Sequence, residues 1–347
     1  MLENKTIGVV GAGNFGVALA NLIAENHDVI LYARRAEVAE QIRSTREFAN
    51  QKLKPNIRAT NDLKEVAEKC VLLFPVVPSA FFEEMIERLS PFLRPDHIVI
   101  HGTKGFNVKL KAGEKLEEIQ SLSREQIQTM SELIREKTVV VRVGCISGPN
   151  LATELAQHLP AGTVIGSRFD EVIRIGRKTL RSDRLQVFGT HDLTGVELAG
   201  VMKNIIAIGS GVVTGLELGE NARALFISRA FNELIRVSSA LGGDVKAFLG
   251  LAGIGDIIAT ASSRLSRNYT VGLRLAAGET LQHIIETSDE VAEGINTVRI
   301  TKLLADNYKV RVPITGIVYR VLFEGLKVDG ALEYLMKYQF ERDVDFL

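Results

Sequence analysis

The 347-residue chain has few of the residues on which several protein classes depend. It contains two cysteines, Cys70 and Cys145, with no C-x-x-C pattern, and its six histidines are scattered without an H-E-x-x-H motif. Disulfide-stapled folds and structural zinc sites need paired or clustered ligands of these types. We therefore predict a reducing compartment and no bound metal.

An excess of charge of one sign is also missing. Lys+Arg and Asp+Glu both total 42, so the formal net charge is zero, which gives no basis for a nucleic-acid partner or a polybasic membrane surface. Residues 204–216 are uncharged, but they include three glycines and are too short to span a bilayer. The N-terminal residues run into a predicted strand and do not form a signal peptide. We expect a cytoplasmic protein without stable membrane insertion.

The first half of the chain contains a glycine motif in the setting of a dinucleotide-binding site. The motif is Gly11-Ala12-Gly13-Asn14-Phe15-Gly16. It follows a predicted strand at residues 6–10 and precedes a helical pattern at 17–24 and a second strand at 28–33. In this order the glycines permit a tight turn, close approach of a pyrophosphate and close helix packing. The alternative is a glycine-rich turn that only packs a helix on a sheet.

The residues after the second predicted strand bear on the choice of cofactor. NAD sites commonly place an acid at this point to bind the ribose 2′-hydroxyl, but here Arg34 and Arg35 precede the first acid, Glu37. Two arginines suit a 2′-phosphate better than a bare diol. We predict that NADP is favoured and that NAD is the alternative, unless both arginines are solvated surface cations.

Three further strands are predicted at residues 71–77, 97–101 and 138–145, although Pro75 would interrupt an interior strand. Each ends in a polar or glycine-containing loop, and ligands of doubly wound sheets bind beyond these strand ends. Lys104 lies in such a loop and is a candidate site residue, or else a solvated lysine. The charged stretch 109–137 has helical spacing and predicts an amphipathic helical insertion on the outside of the sheet.

The second half shows helical periodicity from residue 192 onward and no convincing strand. We predict an α/β fold, with an N-terminal Rossmann-type doubly wound sheet in residues 1–190 and a C-terminal all-α domain in residues 191–347. Lys203 lies within the apolar helical segment 195–207, where it is a candidate for moving a proton or else a lysine that snorkels to solvent. Residues 257–278 contain no acid but include Arg267, which is typical of a phosphate site or of a surface loop.

Several motifs in order give the chain a family resemblance that runs from about residue 5 to residue 328. They are GAGNFGVALA, VVPS, HGTKGF, SGPNLATEL, GVELAGVMKN, GIGDIIATASSRLSRN and VAEG. The chain resembles the NAD(P)-dependent glycerol-3-phosphate dehydrogenases of bacterial type. The resemblance implies reversible reduction of dihydroxyacetone phosphate to sn-glycerol 3-phosphate, a role in glycerophospholipid synthesis, and a homodimer.

The resemblance also implies roles for individual residues. Lys203 matches the family's catalytic lysine, and Lys104 would act with it and touch both cofactor and substrate. The implied cofactor contacts are Gly11, Gly13, Asn14, Phe15, Gly16, Arg34, Arg35, Lys104, Ala152, Arg267, Val291 and Glu293. The implied substrate contacts are Lys104, Gly148, Asn150, Lys203, Asn204, Asp256, Ser266, Arg267 and Asn268. Phe15, Arg34 and Asn150 depart from the usual Trp, His and Ser or Thr.

Two other functions are compatible with the residues alone. A two-domain reductase of a 2-keto acid or an opine would use the Arg267 loop to bind a carboxylate. A non-catalytic NAD(P) sensor would bind cofactor without turnover, although the presence of both Lys104 and Lys203 argues against it.

Overall fold

A computed structural model describes residues 5–111, 113–288, 292–339 and 342–344. The chain forms two compact units. The first comprises Met1–Asn107 and Gln128–Glu197, and the second comprises Val108–Ile127 and Leu198–Leu347. Each unit has its own arrangement of elements.

The first unit is built on one eight-stranded sheet in the order β12-β11-β10-β7-β6-β1-β2-β5. The strands of this sheet are β1 Ile7–Val10, β2 Val29–Tyr32, β5 Ile57–Thr60, β6 Leu72–Pro75, β7 Ile98–His101, β10 Arg142–Ser147, β11 Ala161–Ser167 and β12 Leu185–Thr190. The short strands β3 Glu47–Phe48 and β4 Gln51–Lys52 pair as a hairpin, and β8 Asn107–Val108 pairs with β9 Ile127–Gln128 in another two-stranded sheet. All neighbours in the large sheet are parallel except β10 and β11. The predicted Rossmann-type sheet is confirmed.

Helices cover both faces of this sheet. They are α1 Asn14–Ile23, α2 Ala36–Thr45, α3 Leu63–Lys69, α4 Phe82–Leu89, α5 Met130–Lys137, α6 Ala152–Ala156 and α7 Asp170–Leu180. The core of one face includes Val9 with residues of α1, α2 and α7, whereas the core of the other includes Val10 with residues of α3, α4 and α5. Neighbouring residues of β1 thus serve opposite cores, because side chains alternate along a strand.

Pro75 is accommodated because it is the last residue of β6. The β6–β7 ladder pairs Leu72 with Ile98 and Leu73 with Val99, and so ends before the proline. The carbonyl of Pro75 accepts a hydrogen bond from the Gly102 N–H at 2.9 Å. The missing N–H lies on the same β7 side as this carbonyl, so it ends the β6–β7 ladder at the strand terminus and does not interrupt it.

Two predictions from periodicity fall short in this half. The strands β5, β11 and β12 were not predicted, since they are short or contain glycine and exposed polar positions. The predicted helical insertion over residues 109–137 is wrong for most of its length, because among the described residues of this range only Met130–Lys137 forms an α-helix. The part before it contains the 3-10 turns Leu116–Glu118 and Arg124–Gln126, and residues 108–127 belong to the second unit.

The described remainder of the second unit is helical, as predicted. Its helices are α8 Leu193–Gly215, which begins in the first unit, α9 Gly219–Ala240, α10 Val245–Leu249, α11 Asp256–Ala261, α12 Arg267–Ala276, α13 Leu281–Glu286, α14 Gly294–Asn307, α15 Pro313–Phe323 and α16 Val328–Lys337, with a π-helical turn at Leu251–Gly255. Among the described helices α8 alone is long and apolar enough to cross a membrane, but 94% of its most apolar stretch is buried. It has the character of a core helix.

Candidate active site

The glycine turn after β1 is tightly packed at Gly11 and Gly16 and has open space at Gly13. Gly11 has a φ of +124°, which L-residues rarely adopt, and a Cβ on Gly16 would lie 1.8 Å from the Gly11 carbonyl oxygen. A Cβ on Gly13 would meet nothing within 4 Å. Gly13 also precedes α1, whose first N–H groups have no partner within the helix and favour an anion. The turn therefore fits the pyrophosphate of a dinucleotide, with Asn14 and Phe15 at the start of α1.

Arg34 and Arg35 lie directly after β2, where a ribose 2′ group would be bound. Both side chains are exposed. The Arg34 guanidinium lies 5.0 Å from the centre of the Phe81 ring, and its Nη1 lies 3.9 Å from a Glu84 carboxylate oxygen at the surface. The ring restricts the Arg34 side chain, and the loose, exposed pair with Glu84 holds it weakly.

Lys104 and the loop after β10 meet because β7 and β10 are parallel neighbours. The Lys104 ammonium donates to the Gly148 carbonyl at 3.3 Å. Gly148 has a φ of +135°, and the Asn150 amide donates to the Thr163 hydroxyl at 2.8 Å. The sheet edge thus brings together three of the predicted substrate residues. Ala152 opens α6 immediately after this loop.

The Lys203 side chain does not snorkel to solvent. Lys203 is 7% exposed, and its ammonium lies 2.8 Å from Asp256 Oδ1 and 2.6 Å from Thr260 Oγ1. The Thr260 hydroxyl also lies 3.0 Å from the same Asp256 oxygen, so the three side chains form a closed cluster. Asn204, the next residue in α8, is buried as well.

Burial and pairing act in opposite directions on the Lys203 amine. Removal from water disfavours the ammonium, whereas a carboxylate at 2.8 Å favours it. Asp256 is 2% exposed, so this attraction is weakly screened by solvent. The cluster therefore fixes the direction of the Lys203 amine at a position removed from bulk water.

The predicted phosphate residues lie at the start of α12. The Ser266 hydroxyl caps this helix by accepting from the Tyr269 N–H, and the Arg267 side chain is exposed. Asn268 is buried and accepts a hydrogen bond from the Gly294 N–H at 2.9 Å, which joins the starts of α12 and α14. Glu293 precedes α14 as its N-cap. The implied cofactor contact Val291 lies outside the described residues.

Two glycines allow α8 and α12 to approach each other at backbone distance. A Cβ on Gly211 would lie 2.1 Å from the Tyr269 carbonyl oxygen, and a Cβ on Gly272 would lie 2.0 Å from that of Ile208. The helix that carries Lys203 is therefore packed tightly on the helix that begins with Arg267. Neither glycine was singled out in the sequence for this purpose.

Thr260 is a member of the lysine cluster that the sequence interpretation missed. It follows Asp256 by one turn of α11, so the two side chains share a face of that helix. This spacing could have identified it once Asp256 was selected.

Comparison with known proteins identifies the family of this chain. Residues 6–172 match the family model for the NAD-dependent glycerol-3-phosphate dehydrogenase N-terminus, and residues 192–333 match that for the C-terminus. The glycerol-3-phosphate dehydrogenase [NAD(P)+] of Pseudomonas paraeruginosa is 36% identical over 352 residues, which cover 100% of this chain and 98% of the relative. That of Azotobacter vinelandii is also 36% identical, with the same coverage.

A solved structure agrees over nearly the whole chain. The crystal structure of glycerol-3-phosphate dehydrogenase from Coxiella burnetii has a TM-score of 0.85 and 30% identity, and the match covers 96% of this chain and 99% of that one. Both family models and the full-length relatives therefore agree with the motifs that carried the resemblance. The chain belongs to the NAD-dependent glycerol-3-phosphate dehydrogenase family.

Proposed function

We propose that this chain catalyses the reversible reduction of dihydroxyacetone phosphate to sn-glycerol 3-phosphate with NAD(P)H. The observation that carries the proposal is the buried Lys203–Asp256–Thr260 cluster, in a chain that also has the open glycine turn of a dinucleotide site. The relatives named glycerol-3-phosphate dehydrogenase [NAD(P)+] support the substrate and the cofactor.

Lys203 is the proton donor of the reduction. A nicotinamide cofactor held at the glycine turn would supply hydride to the substrate's carbonyl carbon, and the negative charge that develops on the carbonyl oxygen would have to be neutralised. The Lys203 ammonium donates a proton to that oxygen, while Asp256 and Thr260 fix the direction of the amine. In the reverse direction the neutral amine accepts the hydroxyl proton. Asn204, adjacent to Lys203, orients the substrate.

The start of α12 holds the substrate's phosphate. Arg267 supplies a bidentate cation, Ser266 and Asn268 supply polar contacts, and the positive end of the helix dipole favours an anion. This grip is remote from the reacting carbon, so it contributes by positioning the carbonyl as well as by affinity. Lys104, Gly148 and Asn150 are further substrate contacts, and Lys104 assists catalysis through its charge.

The first unit holds the cofactor through the glycine turn, with Ala152, Arg267, Val291 and Glu293 as further contacts. Arg34 and Arg35 make NADP the preferred form and NAD the alternative. We further propose that the functional domains divide at residues 1–190 and 191–347, and that the protein acts as a cytoplasmic homodimer. Its product would then feed glycerophospholipid synthesis.

The first test is loss of absorbance at 340 nm with dihydroxyacetone phosphate and NADPH, with NADH in parallel. Lys203→Ala should abolish turnover and retain cofactor binding, whereas Lys246→Ala, on the surface end of α10, should behave as the native chain. Tight NADPH binding without turnover by the native chain would overturn the proposal. Turnover of a 2-keto acid in its place would identify the reductase alternative, and no turnover of either would favour the sensor.

A further inference from the structure

A buried cluster in the first unit has no part in the proposed chemistry. Glu197 Oε1 lies 2.9 Å from His101 Nε2, at ion-pair distance but without the alignment of a hydrogen bond, and both side chains are at most 3% exposed. The Ser131 N–H donates to the Glu197 carboxylate at 2.8 Å, and the Ser131 hydroxyl donates to it at 2.6 Å. Burial of a carboxylate lowers the stability of the fold unless the group is paired and hydrogen-bonded. The partners of Glu197 therefore compensate for its burial.

The cluster lies where segments with substrate residues begin. His101 is the last residue of β7, and the loop that follows it carries Lys104. Cys145, on β10, is the register partner of His101, and the loop after β10 carries Gly148 and Asn150. Glu197 is in α8, the helix that carries Lys203 further along.

The side chains that surround the Glu197–His101 pair are also buried. The Phe82 ring packs edge-on against His101 with ring centres 5.9 Å apart, and Cys145 is buried beside it. Burial by itself would raise the pKa of Glu197, but its contacts with His101 and Ser131 outweigh this and hold the pKa below its usual value. The carboxylate is therefore ionised, so it attracts the His101 ring and the Ser131 donors at the start of α5.

We propose that Glu197 and His101 are positioning residues that fix the Lys104 loop against the start of α8. Neither residue touches substrate in this account. Their pairing sets where β7 ends relative to α8, and thereby where the Lys104 ammonium lies. This inference rests on the proposed role of Lys104 in binding substrate.

The test compares Glu197→Gln with Glu233→Gln. Glu233 is a second buried glutamate, 1% exposed, whose carboxyl group accepts hydrogen bonds from Ile314 and Thr315, so its substitution is a matched change of a buried carboxyl to an amide in the second unit. Glu197→Gln should raise KM for dihydroxyacetone phosphate about 10-fold or more, because sub-ångström to 1 Å misplacement of a binding group costs on the order of 10–100-fold. The dissociation constant for NADPH should stay within about twofold, and Glu233→Gln should leave KM unchanged.

Two further variants separate the possible failures. His101→Gln should raise KM similarly, and the double variant should be no worse than either single one, since the two side chains act as one pair. His101→Gln also decides the matter if Glu197→Gln does not fold, because it leaves both Ser131 donors in place. A native KM in the folded variants, or an equal rise in Glu233→Gln, would overturn the inference. If Lys104→Ala itself leaves KM unchanged, the proposed substrate role of Lys104 is what fails.

Discussion

The two units of this protein fix their candidate functional residues in different ways. In the first, the turn that faces the cofactor is shaped by main chain, with Gly11 and Gly16 in backbone contact and open space above Gly13. In the second, the proposed proton donor Lys203 is placed by an ion pair with the buried Asp256. An added methyl group should therefore be most damaging to the glycine turn, and removal of a charge most damaging to the lysine cluster.

The largest effect is expected from Lys203→Met, which retains most of the side chain's volume and removes its charge and proton. We expect kcat/KM to fall by about 10³–10⁴-fold, since both proton transfer and charge stabilisation are lost. The buried Asp256 also loses its cation, so the free energy of unfolding should fall as well. Steady-state kinetics beside a fluorescence titration with NADPH would check this. A fall of less than tenfold in a folded variant would mean that Lys203 is not the donor.

The backbone side of the comparison is tested by alanine at two neighbouring glycines. Gly16→Ala places a Cβ 1.8 Å from the Gly11 carbonyl oxygen, so the turn must move; we expect about a 100-fold loss of NADPH affinity together with reduced stability. Gly13→Ala meets no protein atom within 4 Å and has an ordinary φ of −80°. It should weaken NADPH binding while the melting temperature stays near that of the native chain. Equal stability of both variants would contradict this account of the turn.

The sequence reveals the first unit's site more completely than the second's. The glycine motif and the strand ends locate Lys104, Gly148 and the two arginines, because a doubly wound sheet places its ligands at one edge. The environment of Lys203 could not be predicted in the same way, since Asp256 and Thr260 reach it from a helix distant in sequence. The pairing of His101 with Glu197 could not be predicted for the same reason. The apolar residues of 109–129 have helical spacing, but the described part of this range forms short 3-10 turns.

A buried glutamate in each unit extends the comparison to pH. Burial raises the pKa of Glu233 to about 7 from a usual 4.5, although Ile314 and Thr315 donate hydrogen bonds to it. As pH rises, the Glu233 carboxyl therefore loses its proton in the unfolded chain before it does so in the folded chain. Its contribution to the free energy of unfolding is fully present below about pH 4.5 and is lost as pH rises to about 7. The pKa of Glu197 is lowered, so the pH dependence of its contribution has the opposite sign. That contribution to stability is present above the usual glutamate pKa of 4.5 and is lost as pH falls below it.

Glu233→Gln should therefore flatten one part of the stability profile. Relative to this variant, the native chain should lose on the order of 3 kcal/mol of unfolding free energy between pH 4.5 and 7. Urea denaturation at several pH values, followed by helical circular dichroism, would measure the difference between the two proteins. Parallel profiles would mean that Glu233 is already ionised at pH 5 and that its three hydrogen bonds, rather than burial, set its charge.

The smallest effect is expected at the exposed rim of the cofactor site, where neither backbone contact nor burial amplifies a change. Arg34 and Arg35 are exposed, and the contacts of Arg34 with described residues are the Phe81 ring and a 3.9 Å pair with Glu84. Replacing both by alanine should lower the preference for NADPH over NADH about tenfold, because an exposed charge contact contributes roughly 1 kcal/mol. The ratio of kcat/KM for the two cofactors measures this preference. The control is Arg43→Ala, which removes an exposed arginine in the last turn of α2. Because NADH lacks the 2′-phosphate, its kcat/KM should hardly change. An equal loss with both cofactors would place the arginines at the shared part of the dinucleotide and remove the basis for an NADP preference.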